Sequence, residues 1–274
     1  MTEEFDTELA MKAALAAAEA SAETLMSFFR QDSALDAWMK SPGALVTEAD
    51  IRSDQAIATA FKSVGAKGAV LSEESSSGES SGDLTWLIDP LCGTVPFRSG
   101  MSHWGTNIAF RRGDRLEVAA LSMPAEGETF SALAGAGVKL NGQPFVGRDP
   151  GLPLDEAVIC LEVDGGNEWK RILDARSAGQ SDLEWVGSTG QTNIFSSAAY
   201  PIGQLCFGRL SAAVFYEIDS VHLAASALVA QELGAIVSDE RGEPLDWTSE
   251  DAYAVAVVAW PSVHAALINA MADR

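Results

Sequence analysis

A chain of 274 residues, 47% hydrophobic and 21% charged, can bury the core of one large or two tightly joined globular domains. Its net charge of −21, from 39 acidic against 18 basic residues, provides no basic stripe to neutralise phosphates, which argues against nucleic acid or an anionic membrane as partner. Three scattered cysteines, an acidic N-terminus unlike a secretion signal, and no apolar run near the ~20 residues that cross a bilayer indicate a soluble, cytoplasmic protein.

The first element is an alanine-rich helix over 7–30, capped by Asp6 or Thr7, with leucines at helical spacing. Ser41-Pro42-Gly43 marks a turn, and a second helix starts near Thr47 and stops at Gly65. A strand over 69–71 ends in Ser72-Glu73-Glu74-Ser75, and the Ser/Gly tract over 75–82 reads as a flexible connection. Strands are expected over 86–88, 104–110 and 116–121, the last two joined by a hairpin turn at 111–114. Two more strands are expected between 129 and 144, around an Asn141-Gly142 turn.

The Pro/Gly-rich segment 147–154 is a candidate hinge, dividing an α+β domain over 1–150 from an α/β domain over 151–274. Beyond it, strands and helices alternate through 157–162, 168–177 and 183–187 to a helix within 191–200 and a strand over 210–215. A helix over 220–233, strands over 235–238 and 253–259, and a last helix from Pro261 complete the order.

The chemistry centres on Trp86-Leu87-Ile88-Asp89-Pro90-Leu91-Cys92-Gly93-Thr94-Val95-Pro96-Phe97. Its apolar start reads as a buried strand, stopped by Asp89-Pro90, and Gly93-Thr94 reads as a tight turn into a helix. That puts a carboxylate at a strand end beside free backbone N–H groups. Taken alone, the spacing favours a simple Asp-Pro turn. Glu73-Glu74 is on its own a solvated surface pair; with Asp89 it offers two strand-end carboxylates, the oxygen ligands that hard cations take. Cys92 and Arg98 have the Cys-x₅-Arg spacing of cysteine-dependent phosphatases, but Pro96 removes one amide and Phe97 crowds the loop, so the match is read as coincidence. His103 and His264 have no partner pattern.

The stretch from Trp86 to Phe97 resembles the Trp-x-Ile-Asp-Pro-Leu-Asp-Gly-Thr-x-x-Phe signature of the inositol monophosphatase family of metal-dependent phosphomonoesterases. Ser72-Glu73-Glu74-Ser75 is similar to its Gly-Glu-Glu-Ser, and Thr47 to Asp50 to its Thr-x-x-Asp. The run from Val221 to Ala235 is similar to its Trp-Asp-x-Ala-Ala-Gly motif. The resemblance spans about 47–246.

It implies a layered αβαβα sandwich, commonly a homodimer, and hydrolysis of a small phosphorylated metabolite such as an inositol or sugar phosphate by a Mg²⁺-activated water. By the same match Glu73, Asp89 and the Leu91 carbonyl hold a first metal. Thr94, paired with Asp50, orients the attacking water together with Glu73, and Gly93 and Thr94 bind phosphate.

Two positions depart from the family: Cys92 and His222 fall where it has metal-binding Asp residues. Either these positions mark a lost second site, or Cys92 and His222 make an altered one for Mn²⁺ or Zn²⁺, to which thiolate and imidazole are better suited than to Mg²⁺. His222, in the first turn of a helix, is expected to be neutral because the dipole opposes a protonated ring. The runner-up to the enzyme is a catalytically impaired, phosphate-binding or regulatory relative.

Overall fold

The structure, a computed structural model, describes residues 6–31, 36–41, 44–77, 83–163, 183–249 and 251–272. The element expected over 168–177, and parts of the turn at 41–43 and of the 75–82 tract, lie outside these residues.

Helix α1 (Thr7–Phe28) starts at Asp6, whose carboxylate accepts the Leu9 N–H at 2.9 Å. A short antiparallel pair, β1 (Ala37–Ser41) and β2 (Ala44–Thr47), leads into α2 (Glu48–Val64), which ends at Gly65 with φ 76°. The first large sheet takes β3 (Ala69–Ser72), β4 (Ser76–Ser77), β5 (Leu84–Cys92), β6 (Gly105–Arg112), β7 (Arg115–Met123), β8 (Glu128–Leu133), β9 (Gly137–Leu140) and β10 (Gln143–Phe145). Their spatial order is β10-β9-β8-β7-β6-β5-β3-β4. A five-stranded sheet follows, in the order β12-β11-β13-β15-β14, from β11 (Val158–Val163), β12 (Gln191–Asn193), β13 (Ala212–Ile218), β14 (Ile236–Ser238) and β15 (Tyr253–Ala259). Among the described residues its helices are α4 (Ala199–Cys206), α5 (Ser220–Glu232) and α6 (Pro261–Ala272); the single-turn α3 (Thr94–Arg98) follows β5.

The period-2 alternation of strand side chains sorts these elements into layers. Trp86, Ile88, Ile108, Phe110, Val118 and Ala120 pack beneath α1 and α2, against the alanines of α1. Their neighbours Leu87, Ala109, Ala119 and Leu121 face the other way, into a core shared with α4, α5 and the inner face of the second sheet. The outer face of that sheet, with Ile159, Val214 and Val257, is covered by Val263, Leu267 and Met271 of α6. The result is the expected αβαβα sandwich. Helix α5 is apolar on nearly all sides because it lies in the central layer, where every face is buried.

Four local expectations are corrected. Strand β5 does not stop at Asp89-Pro90 but runs on to Cys92. The region 129–144 holds three strands, because Gly135 and Gly137, both with positive φ, insert a second turn. Residues 183–187, expected as a strand, lie in a 3₁₀ turn (Glu184–Ser188). The helix expected within 191–200 is a short strand followed by a helix that begins only at Ala199.

Candidate metal centre

The centre is built where β5 outlasts its neighbour. Strand β3 pairs in parallel with β5 only as far as Ser72 opposite Ile88, and the ladder to β6 is irregular between Asp89 and Cys92. Pro90 therefore sits at a bulge, the one place in a sheet interior where a missing N–H costs little. Its carbonyl accepts hydroxyl hydrogen bonds from Ser53 at 2.9 Å and Thr106 at 3.2 Å. The irregularity leaves Asp89 fully buried at the point where the strands part.

Asp89 Oδ1 accepts the Leu91 N–H at 3.1 Å, and Oδ2 lies 2.7 Å from His222 Nδ1. Glu73 follows directly on β3, its N–H bonded to the Ile88 carbonyl at 3.0 Å. One ligand atom from each of Glu73, Asp89 and His222 lies within 4.8 Å of the others. Two carboxylates and an imidazole are a donor set consistent with a divalent cation. The surroundings fit as well: Asn107, opposite Asp89 on β6, donates Nδ2 to the His222 carbonyl at 2.9 Å, while its buried Oδ1 has no hydrogen-bond partner among the described residues. Asn107 has no counterpart in the sequence reading, since a lone Asn in an apolar strand carries no motif.

His222 stands in the first turn of α5, whose N-cap Asp219 accepts the Val221 and His222 N–H groups. Burial of the ring opposes its charge, but Asp89, then Asp219 and Glu73, outweigh it and hold the imidazole pKa well above its ordinary value. The pull of the helix dipole on this ring is thus outweighed by three nearby carboxylates, Asp89 first. A proton on this ring and a cation between the carboxylates are alternatives for the same negative charge.

Asp50 is the third residue of α2 and closes its first turn. Its Oδ2 accepts from the Thr47 N–H at 2.8 Å and the Thr47 hydroxyl at 2.5 Å, and its Oδ1 accepts the Thr94 hydroxyl at 2.8 Å. Burial raises the Asp50 pKa against these three donors. Thr94 Oγ1 also lies 3.4 Å from the Leu91 carbonyl, which brings Leu91, Thr94 and Asp50 together. Gly93 has φ 101°, and a Cβ there would lie 2.8 Å from the His103 carbonyl oxygen and 3.0 Å from Ser197 Cβ, so this turn admits only glycine.

Cys92 does not join the cluster, and its expected place as a substituted metal ligand beside His222 is corrected: the acidic/His group consists of Glu73, Asp89 and His222. Cys92 Sγ instead accepts the Ala198 and Ala199 N–H groups at 3.0 and 3.2 Å, at the start of α4. Burial, with the charge of Asp89 adding to it, pushes this thiol well above its usual range. The thiolate, the form that ligates metals and attacks phosphorus, is therefore disfavoured.

The segment that meets Cys92 is itself pinned. Glu162 on β11 is buried; its Oε1 accepts the Phe195 N–H at 2.6 Å and the Cys160 thiol at 3.2 Å, and its Oε2 accepts the Ser196 N–H at 2.9 Å. Ser196 adopts φ 56° there. Burial raises the Glu162 pKa to about 7 in spite of these donors.

The sequence profile of the inositol monophosphatase family matches residues 6–274. A protein named Nus factor SuhB from Pseudomonas aeruginosa is 30% identical over 234 residues, covering 84% of this chain and 84% of that protein. One named glucose-1-phosphate thymidylyltransferase from Streptomyces griseus is 30% identical over 206 residues, covering 74% and 76%. Among solved structures, the extragenic suppressor protein suhB of Bartonella henselae aligns with a TM-score of 0.82 at 20% identity, over 96% of this chain and 98% of that one. The inositol monophosphatase of Anabaena aligns with a TM-score of 0.78 at 18% identity, over 97% and 96%. At such identities the structural likeness speaks for the fold.

Proposed function

The chain belongs to the inositol monophosphatase family, and on that premise we propose that it hydrolyses a small phosphomonoester, an inositol or sugar phosphate, with Mg²⁺ as cofactor. The observation that carries the reading is the convergence of Glu73, Asp89 and His222 within 4.8 Å. These side chains, with the Leu91 carbonyl, would hold the ion. When bound, a divalent cation neutralises phosphate charge and makes water more acidic, so that a nucleophile is available near neutral pH.

The Thr94 hydroxyl donates a hydrogen bond to Asp50 Oδ1 at 2.8 Å. Its oxygen lone pairs are then left to accept from a water and aim it at phosphorus, with Glu73 assigned to the same water. The Gly93 and Thr94 amides, at the turn into α3, are assigned to the phosphate oxygens. The working form is taken to be a cytoplasmic homodimer, which sedimentation of the purified chain tests.

A second reading, a catalytically impaired phosphate-binding or regulatory relative, is favoured by Cys92 standing outside the cluster and by relatives named as Nus factors. The two separate in one experiment. Chelator-stripped protein refilled with Mg²⁺ should release phosphate from inositol or sugar phosphates. Binding of metal and phosphate without turnover would favour the regulatory reading.

A further inference from the structure

Helix α2 presents Asp50, Ser53 and Asp54 at i, i+3 and i+4, the spacing that puts side chains on one face. Each reaches a different piece of the centre. Asp50 takes the Thr94 hydroxyl, and Ser53 donates to the carbonyl of Pro90, the residue after Asp89. Asp54 is two-handed: Oδ1 accepts the Ser72 hydroxyl at 2.6 Å and Oδ2 accepts the Ser75 hydroxyl at 2.6 Å. These two serines bracket Glu73-Glu74.

Both bonds have the short O···O distance of a hydroxyl donating to a carboxylate. The turn they hold is narrow, with the Ser72 N–H bonded to the Ser75 carbonyl at 2.8 Å. Glu73 lies just past the end of β3, and its side chain is long. Without a fixed root such a side chain samples many rotamers, and a cation would have to order it at the moment of binding. Ligands held by further hydrogen-bonding partners bind metal more tightly for this reason.

The geometry points to Asp54 as a positioning residue of the metal centre: by clamping Ser72 and Ser75 it fixes Glu73 within ligand distance of Asp89 and His222. The inference rests on the reading that Glu73, Asp89 and His222 bind a cation. A staple that merely joins α2 to β3 would be felt in stability alone. A clamp on a ligand is felt in metal affinity while the metal-free chain stays folded.

The test is titration of the full-length, chelator-stripped chain with Mn²⁺ alone, followed by the signal of free Mn²⁺ in electron paramagnetic resonance. Four proteins are compared: wild type, Asp54→Ala, the pair Ser72→Ala with Ser75→Ala, and all three changes together. Circular dichroism of each metal-free variant checks the fold. Asp54→Ala and the serine pair should each weaken Mn²⁺ binding by roughly 10- to 100-fold. The triple variant should be no weaker than either, because the three side chains act as one unit. If Asp54→Ala fails to fold, the serine pair, which leaves α2 intact, decides the matter. Variants that bind Mn²⁺ within twofold of wild type would overturn the clamp and leave the metal centre standing, as would losses that simply add in the triple variant. A wild-type chain that binds no Mn²⁺ would overturn the metal reading itself, and the clamp with it.

Discussion

Glu162 offers the sharpest quantitative test of the packing around the centre, because burial and hydrogen bonding pull its proton affinity in opposite directions. Two backbone N–H groups and the Cys160 thiol donate to it, which favours the carboxylate. Burial is the larger effect, and the group titrates at about 7 in place of an ordinary 4.5. A carboxyl with a raised folded pKa holds its proton more tightly in the folded chain than in the unfolded one. Its contribution to stability is full below the unfolded pKa of 4.5 and is lost as pH rises through about 7. At about 1.4 kcal/mol for each tenfold change in proton affinity, the loss amounts to about 3 kcal/mol. Glu162→Gln removes the titration and keeps the shape, so urea unfolding of both proteins across this range isolates the effect from other carboxylates. The wild type should lose about 3 kcal/mol relative to Glu162→Gln between about pH 4.5 and about pH 8. A difference that stays flat, or that grows in favour of wild type as pH rises, would show that burial does not hold the proton on Glu162.

Thr94→Val removes the hydroxyl from Asp50 and leaves a buried carboxylate one donor short; unfolding should show a loss of about 1–3 kcal/mol. Phosphate release, where Thr94 aims the water, should fall by roughly 10²- to 10³-fold, and Thr94→Ser should recover most of both. Cys92→Ser should leave Mn²⁺ affinity within about threefold of wild type, because Sγ serves the Ala198 and Ala199 amides and lies outside the metal cluster. A phosphocysteine trapped during turnover would contradict that placement.

Much of the fold was legible because the chain is locally consistent. Asp6, Gly65 and Asn141-Gly142 cap or turn where their chemistry says they should, and the alternation in β5 to β7 divides one core from another. Pro90 reads as a strand end because a proline at a bulge looks, in sequence, like a proline that stops a strand. The stretch 183–199 defeats pattern reading because short apolar runs fit strand and helix alike, and tertiary packing decides between them.

In the candidate site, motif resemblance points to Glu73, Asp89 and His222, whose ligand atoms lie within 4.8 Å of one another. Cys92 could not be placed by its motif position alone, since the resemblance pairs it with His222, whereas its neighbours in space are the Ala198 and Ala199 amides at the start of α4. Ser53, Asp54 and Asn107 carry no sequence signal for a related reason: each bonds to a carbonyl or hydroxyl distant in sequence, and no spacing rule records such a tie.

If Glu73, Asp89 and His222 hold the cation on which phosphate release depends, metal and activity must be lost together. The most direct measurement is metal occupancy of purified Glu73→Gln and wild-type chains after chelation and refilling with Mg²⁺, taken alongside phosphate release by the same samples. Wild type should regain both the ion and hydrolysis, and Glu73→Gln should lack both. Wild-type occupancy in Glu73→Gln, or phosphate release from chelated wild type at the refilled rate, would contradict the account.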